Sequence, residues 1–441
     1  MAYDARQVVE GLRSGVAYRE MAKKVVFGRE KTLTQVERIL ESIEQGHKPK
    51  SSAYIVRANY GEGKTHVLHS LWGMAEDRNW VVSQVSLSRE TPLDRLDQLY
   101  SKVMENTYVP GSLQPGIAHI VTAALDEPRV LADLRVLDLA PRVSCLIDNL
   151  VSRNEGMPEL ISDIEGRFLS TAELKQIHRG NIGKPLKLPR SSIREDVYDY
   201  LRLVDWLIAK AGFAGWLILF DEVELIGKLG KSARTRSYGH MGRLISGFLP
   251  HTASVWAVAS NFNSDVLLAR GDREEAPRYL ASRPKDEALA PFAELATDAL
   301  LESKMLDPLS RPQVRDLIRQ IYEMHEEAYG WQVPFTEEDL YEKIRALTPT
   351  QDTRVRTWVR LSLMVLDIWY QYGTAPTVSV MKQLHEYSLE EDPEADAESS
   401  GMDNTSNGLT GSRHTIESDA TVDSGDTTEL SRPMIIRTPS F

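Results

Sequence analysis

Ala53-Tyr54-Ile55-Val56-Arg57-Ala58-Asn59-Tyr60-Gly61-Glu62-Gly63-Lys64-Thr65-His66 is the stretch that decides the fold. Residues 53–58 have the character of a strand. Two glycines then turn the chain, and the periodic run Lys64–Ala75 predicts a helix. A strand, a Gly-containing turn and a helix in this order fit a phosphate-binding loop over residues 58–65. Gly61 and Gly63 permit the backbone angles that aim amide hydrogens at an anion. The helix start adds its dipole and its unpaired N–H groups. Lys64 offers a point charge to the β- and γ-phosphates of ATP, and the Thr65 hydroxyl a ligand for Mg2+. Asn59, Tyr60, Glu62 and His66 complete the candidate nucleotide-binding set. The first loop position is usually Gly; here it is Ala58, one methyl larger. Glu62 is expected to face solvent.

Working outward, Trp80–Leu87 predicts the next strand and Trp216–Asp221 another. The second is apolar throughout, as suits a central parallel strand covered on both faces. It ends in Asp221-Glu222, at the strand edge where open α/β sheets bind ligands. Asp221 is the expected Mg2+ ligand beside Thr65. Glu222 is the expected catalytic base, orienting and activating a water. A third buried strand, Val255–Ser260, leads to Asn261. That side chain is placed to help fix the water near the γ-phosphate, although Asn261–Asp265 also reads as a turn. A further strand is expected over Ala299–Leu306. The fold class is α/β: a parallel sheet flanked by helices, of the P-loop NTPase type.

The remaining chain divides by pattern. Residues 1–50 read as helices, with Val8, Val9 and Leu12, then Leu33, Val36, Leu40 and Ile43, at helical spacing. Val25–Glu30 is a short extended interruption. The ATPase core is expected over 51–307. Within it, about 90–200 carries no strong strand signal and reads as a helical insertion with a basic loop, 178–192, either solvated or meeting a phosphate backbone. Residues 308–388 read as a helical lid, with segments at Val314–Tyr322, Glu337–Leu347 and Arg354–Tyr370. Residues 389–441 are poor in aromatics and rich in Ser, Thr, Asp and Glu; such a tail buries too little apolar area to offset its ordering entropy and is expected to be disordered.

Net charge is −12, but residues 390–441 hold about 12 acidic against 3 basic side chains, so the body is nearly balanced. This neither excludes nor favours a nucleic-acid contact. The single cysteine, Cys145, excludes an intramolecular disulfide framework and reads as a buried thiol. No apolar run is long enough to span a bilayer and no secretory segment opens the chain, so no membrane association and a cytoplasmic location are expected.

The three elements around Lys64, Asp221-Glu222 and Asn261 resemble the AAA+ (ASCE) branch of P-loop ATPases, from about residue 25 to 370. Val26-Phe27-Gly28-Arg29-Glu30 resembles that superfamily's adenine-flanking segment. Asp307-Pro308-Leu309-Ser310 resembles the join to the lid. Asp352-Thr353-Arg354-Val355-Arg356 resembles the start of the helix carrying the second sensor arginine. Arg354 matches best and Arg356 next; a surface arginine on an amphipathic helix is the plainer reading of either.

A closer resemblance is to the ATP-binding proteins of BREX phage-resistance systems, the BrxC/BrxD family. Ala5–Gly15, Arg57–His66 and Phe220–Glu224, leading to Arg234–Tyr238 and Arg243–Ile245, carry it. The length suits the shorter, BrxD-like members, while Ala58 and the acidic tail depart from the pattern. The resemblance implies an ATPase of anti-phage defence, acting on DNA or beside a helicase or methyltransferase, and assembling as a homo-oligomer. Arg236 is then a trans-acting or switch arginine, and Arg270, Arg278 and Arg283 are candidates for an arginine finger. The alternative is a slow regulatory nucleotide switch or scaffold without motor activity on DNA.

Overall fold

The computed structural model describes residues 4–14, 28–47, 51–126, 134, 136–152, 156–189, 192–347 and 354–374. All of them belong to one compact unit, Met1–Gln383. The expected acidic tail, Val25–Phe27, and Asp352 with Thr353 lie outside the described residues.

Strands β1 (Ala53–Ala58), β2 (Trp80–Ser86), β3 (Thr107–Tyr108), β4 (Gly215–Asp221), β5 (Thr252–Ala259) and β6 (Lys304–Met305) form one sheet. Their order is β3-β2-β4-β5-β1-β6. Every pair is parallel except β2 with β3. One strand, β5, therefore lies between the loop-bearing β1 and the acid-ending β4. Their registers run Ile55↔Trp256 and Leu217↔Ala253.

Alternation along a strand sends successive side chains to opposite faces. On one face Leu217 and Leu219 join Val56, Val255 and Ala257. They pack under Val36 and Leu40 of α2 (Glu30–Glu44), which follows α1 (Ala5–Ser14) in the chain, and under Val67, Leu68 and Leu71 of α3 (Lys64–Asp77). On the other face Trp216, Ile218 and Phe220 join the larger core. There Phe220 stacks on Trp256 with ring centroids 3.9 Å apart. The Trp216 indole donates to Ser83 Oγ at 2.8 Å, so its polar edge is satisfied inside the core. Each such large side chain contributes roughly 1.5–3 kcal/mol on burial.

That second face is covered by α4 (Leu96–Glu105), α5 (Ala118–Leu125), α6 (Pro141–Ser152), α7 (Met157–Ser162), α8 (Thr171–Ile182) and α9 (Ile193–Lys210). The expected all-helical stretch 90–200 thus contains one strand, the two-residue β3, which is too short to leave a periodic signal. The first part of the expected loop 178–192 is helical. It completes α8, whose start is set by a Ser170/Glu173 capping box. Helices α10 (Lys231–Ile245), α11 (Asp272–Ala281) and α12 (Ala290–Glu302) follow.

The strand expected over Ala299–Leu306 is mostly helix. Residues up to Glu302 finish α12, and only Lys304 and Met305 pair with β1. Ala293, Ala296, Thr297 and Leu300 are buried at helical spacing, and the Ala/Leu-rich composition favours the helix.

Helices α13 (Arg311–Tyr329), α14 (Glu337–Leu347) and α15 (Val355–Tyr372) build a separate apolar core. The first helix of the chain, α1 (Ala5–Ser14), belongs to it through Val8, Val9 and Leu12. Arg13 grips Asp367 of α15 with two hydrogen bonds, at 2.7 and 3.0 Å. Asp367 also meets His325 Nε2 at 3.0 Å. An indole N–H only donates, so Trp331 donates to His325 Nδ1, and Nε2 carries the proton given to Asp367. The described residues before β1 are thus split by packing, α1 on α13 and α15 and α2 on the sheet. Among the described residues no helix is long and apolar enough to cross a membrane.

Helices α10 and α12 approach so closely that a Cβ on Gly242 would lie 1.7 Å from the Phe292 carbonyl oxygen. Gly242→Ala is expected to destabilise the protein by about 3 kcal/mol, read from the denaturant midpoint. Gly230→Ala, whose added methyl meets nothing within 4 Å, is expected to cost less than about 1 kcal/mol.

Candidate functional site

The turn after β1 owes its shape to two glycines and a buried carboxylate. Gly61 has φ 76° and Gly63 φ 91°, the left-handed region that a side chain disfavours. Gly63 is also the N-cap of α3, so the strained residue and the helix start coincide. Glu62 is buried, not solvent-facing as expected. Its Oε2 accepts the Asn59 N–H at 2.9 Å and its Oε1 the Asn59 side-chain amide at 2.8 Å. The turn leaves these donors without a strand partner, and the Glu62 side chain folds back to satisfy them.

Arg29 braces the same turn. It is 3% exposed and donates to the Glu62 carbonyl at 2.7 Å and to the Asp307 carbonyl at 2.6 Å. Burial pulls its pKa down, opposed by Glu62 and Asp307. One guanidinium thereby joins the segment before α2, the loop, and the chain leading to α13. The sequence signal, Gly28-Arg29-Glu30, marked this segment but not that role.

Lys64 and Thr65 open α3, and Asp221 closes β4. The Thr65 hydroxyl donates to Asp221 Oδ2 at 2.8 Å across 156 residues of chain. The other Asp221 oxygen accepts the Glu222 N–H at 3.0 Å. Glu222 has φ 58°, a costly angle for a residue with a Cβ, directly at the acidic edge. Lys64 is buried, and its Nζ lies 4.0 Å from Glu224 Oε1. Glu224, in the short 3-10 turn Val223–Lys228, accepts the Ala259 N–H on Oε2 at 3.0 Å. Burial raises the Glu224 pKa, and the neighbouring Lys64 works against that rise. His66 is buried in the first turn of α3.

The second sensor candidates lie on the loop. The Arg356 N–H donates to the Gly61 carbonyl at 3.0 Å. Its guanidinium stands 4.9 Å from the Tyr60 ring centroid and donates to the Tyr60 hydroxyl. Arg354 is the N-cap of α15, and its Cβ lies 3.6 Å from where a Cβ of Gly61 would be.

Asn261 stands in the turn that residues 261–265 also suggest. Strand β5 ends at Ala259, and the Asn261 side chain donates to Asp265 at 3.0 Å within a helical turn. Its neighbour Ser260 reaches the loop instead, donating to Asn59 Oδ1 at 2.5 Å. Arg236, the expected trans-acting arginine, is paired within the chain to Asp94 at 3.1 Å. Of the finger candidates, Arg270 donates to the Gly227 carbonyl at 2.9 Å and Arg283 to Ser232 at 3.1 Å, while Arg278 is exposed. Cys145 is buried beside Asn149 and His178, and burial pushes its thiol up to about 12, far from a nucleophile's range.

Sequence comparison fits this geometry. Residues 2–125 and 190–385 match the BREX system ATP-binding protein BrxC/D family. The chain belongs to that family. Both halves of the match carry the site: the first holds Arg29 and the loop, the second Asp221, Glu224, Arg354 and Arg356. The internal residues outside the match, 126–189, hold α6, α7 and α8. No curated relative matches the chain.

Arg29→Met would leave the Glu62 and Asp307 carbonyls without their charged donor. It is expected to lower the unfolding free energy by about 3 kcal/mol, read from the urea midpoint.

Proposed function

We propose that this BrxC/D member binds ATP on residues 58–65 and hydrolyses it with Mg2+, as an AAA+-type ATPase of a BREX phage-defence system. The observation that carries the reading is the Thr65 hydroxyl against the Asp221 carboxylate, 2.8 Å apart beneath the Gly61–Lys64 turn. These are hard oxygen donors, one in the first turn of α3 and one at the end of β4, the chemistry Mg2+ takes when nucleotide phosphates supply the rest of its shell. Thr65 and Asp221 would hold the ion, which neutralises phosphate charge when bound. The amides after Gly61 and Gly63 and the α3 dipole cradle the phosphates, and Lys64 meets the β- and γ-oxygens. Glu222 accepts the proton of the attacking water.

The strand order, with β5 between β1 and β4, supports the ASCE branch. Helices α13–α15 act as the lid, with Arg354 and Arg356 as its nucleotide-facing residues. In phage defence ATP turnover would be coupled to DNA, or to a DNA-processing partner such as a helicase or methyltransferase. A BrxD-like, homo-oligomeric, cytoplasmic protein is the finer form of this reading. The Arg356 contacts on Tyr60 and Gly61 favour a second reading, a slow nucleotide switch whose lid position follows the loop.

Lys64→Ala is expected to abolish ATP binding in a calorimetric titration. Glu222→Gln is expected to keep ATP binding while kcat falls by roughly 100-fold or more. Turnover at the wild-type rate in Glu222→Gln would remove the base assignment. Stimulation of turnover by duplex DNA at low salt supports coupling to DNA; no stimulation at low or moderate salt favours the switch.

A further inference from the structure

Lys64 is a buried ammonium, and a buried ammonium without a counter-charge is costly. The carboxylate that answers it is neither Asp221, engaged by Thr65 and the Glu222 N–H, nor the expected base Glu222. It is Glu224, with Oε1 4.0 Å from Lys64 Nζ. The other oxygen, Oε2, is anchored on the Ala259 N–H at the end of β5. Glu224 is thus fixed at one oxygen and turned toward Lys64 with the other.

We propose that Glu224 is a positioning residue that competes with nucleotide phosphate for Lys64. The inference rests on the reading of residues 58–65 as a nucleotide loop. An ammonium directed at Glu224 cannot be directed equally at a β- or γ-phosphate oxygen. A phosphate arriving at Lys64 also meets a like charge in a site of low dielectric. ATP must therefore draw Lys64 away and displace the Glu224 carboxylate. Displacement pulls on the Ala259 N–H, and the next residue, Ser260, is bonded to Asn59 of the loop. Glu224 thereby links phosphate occupancy to the end of β5, the sensing task that the sequence assigned to Asn261.

Glu224→Gln tests this in the full chain, because the amide oxygen still accepts from Ala259 while the negative charge is gone. Titration with ATP is expected to show roughly fivefold to tenfold tighter binding than wild type. The KM is expected to fall by a similar factor. AMP lacks the phosphates that Lys64 meets, so its affinity is expected to stay unchanged. Glu224→Asp draws the carboxylate back by one methylene and is expected to give an intermediate gain; it carries the test if the Gln variant does not fold. Unchanged ATP affinity in both variants overturns the proposal, as does an equal gain for AMP, which marks a general structural effect. A collapse of kcat at unchanged affinity overturns it too, by making Glu224 the base. Failure of the wild-type chain to bind ATP instead overturns the nucleotide-loop reading.

Discussion

The hydroxyl of Thr65 and the carboxylate of Asp221 meet at 2.8 Å, and much of the architecture serves to bring them there. For this contact β1 and β4 must end at the same sheet edge, with one strand between them. The spacer is β5, buried along nearly its whole length and paired in parallel register to both neighbours. Large side chains alternate between the two faces of β4, so a slip of one residue would turn Trp216 and Phe220 to the wrong layer. The same slip would carry Asp221 off the edge. Core packing and site geometry are therefore one constraint.

Charge burial is the second theme of the site. Arg29, Glu62, Lys64 and Asp221 are all buried, where ions are expensive unless paired or hydrogen-bonded. Each has an answer within a few ångströms. Arg29 donates to two carbonyls, Glu62 accepts from Asn59, Asp221 accepts from Thr65 and Glu222, and Lys64 faces Glu224. These pairings join the loop to the end of β5 through Asn59 and Ser260, and to the segment before α13 through Arg29 and Asp307. Short polar contacts thus tie the Gly61–Gly63 turn to two other parts of the fold.

The core of α13, α14 and α15 is completed from the far end of the chain. Helix α1 packs on α13 and α15, and Arg13 fixes Asp367 in a network that includes His325 and Tyr329. Residues Ala5–Ser14 therefore pack with the last described helices rather than with the sheet. The start of α15 in turn rests on Tyr60 and Gly61. Helix α1 and the Gly61–Gly63 turn thus contact opposite ends of one element.

The loop over residues 58–65, the acids at 221–222 and the strands Ala53–Ala58, Trp80–Ser86, Gly215–Asp221 and Thr252–Ala259 were legible because each depends on local information. Gly61 and Gly63 declare the turn, and continuous apolar runs declare the buried strands. The helical end at 299–302 was misread as strand: Ala and Leu favour a helix, but a short apolar run also suits a buried strand, and packing of this helix against α10 accompanies the helical outcome. Burial of Glu62, the Lys64–Glu224 pair, the turning away of Asn261 and the contact of Ser260 with the loop carry no local signal. They arise where separate strands end side by side, and side-chain direction there depends on neighbours far away in sequence. Residue types and spacing alone determined the strand, the glycine turn after it and the acidic end of β4; only the tertiary structure decided which carboxylate faces Lys64, because that is a matter of which strand ends share an edge.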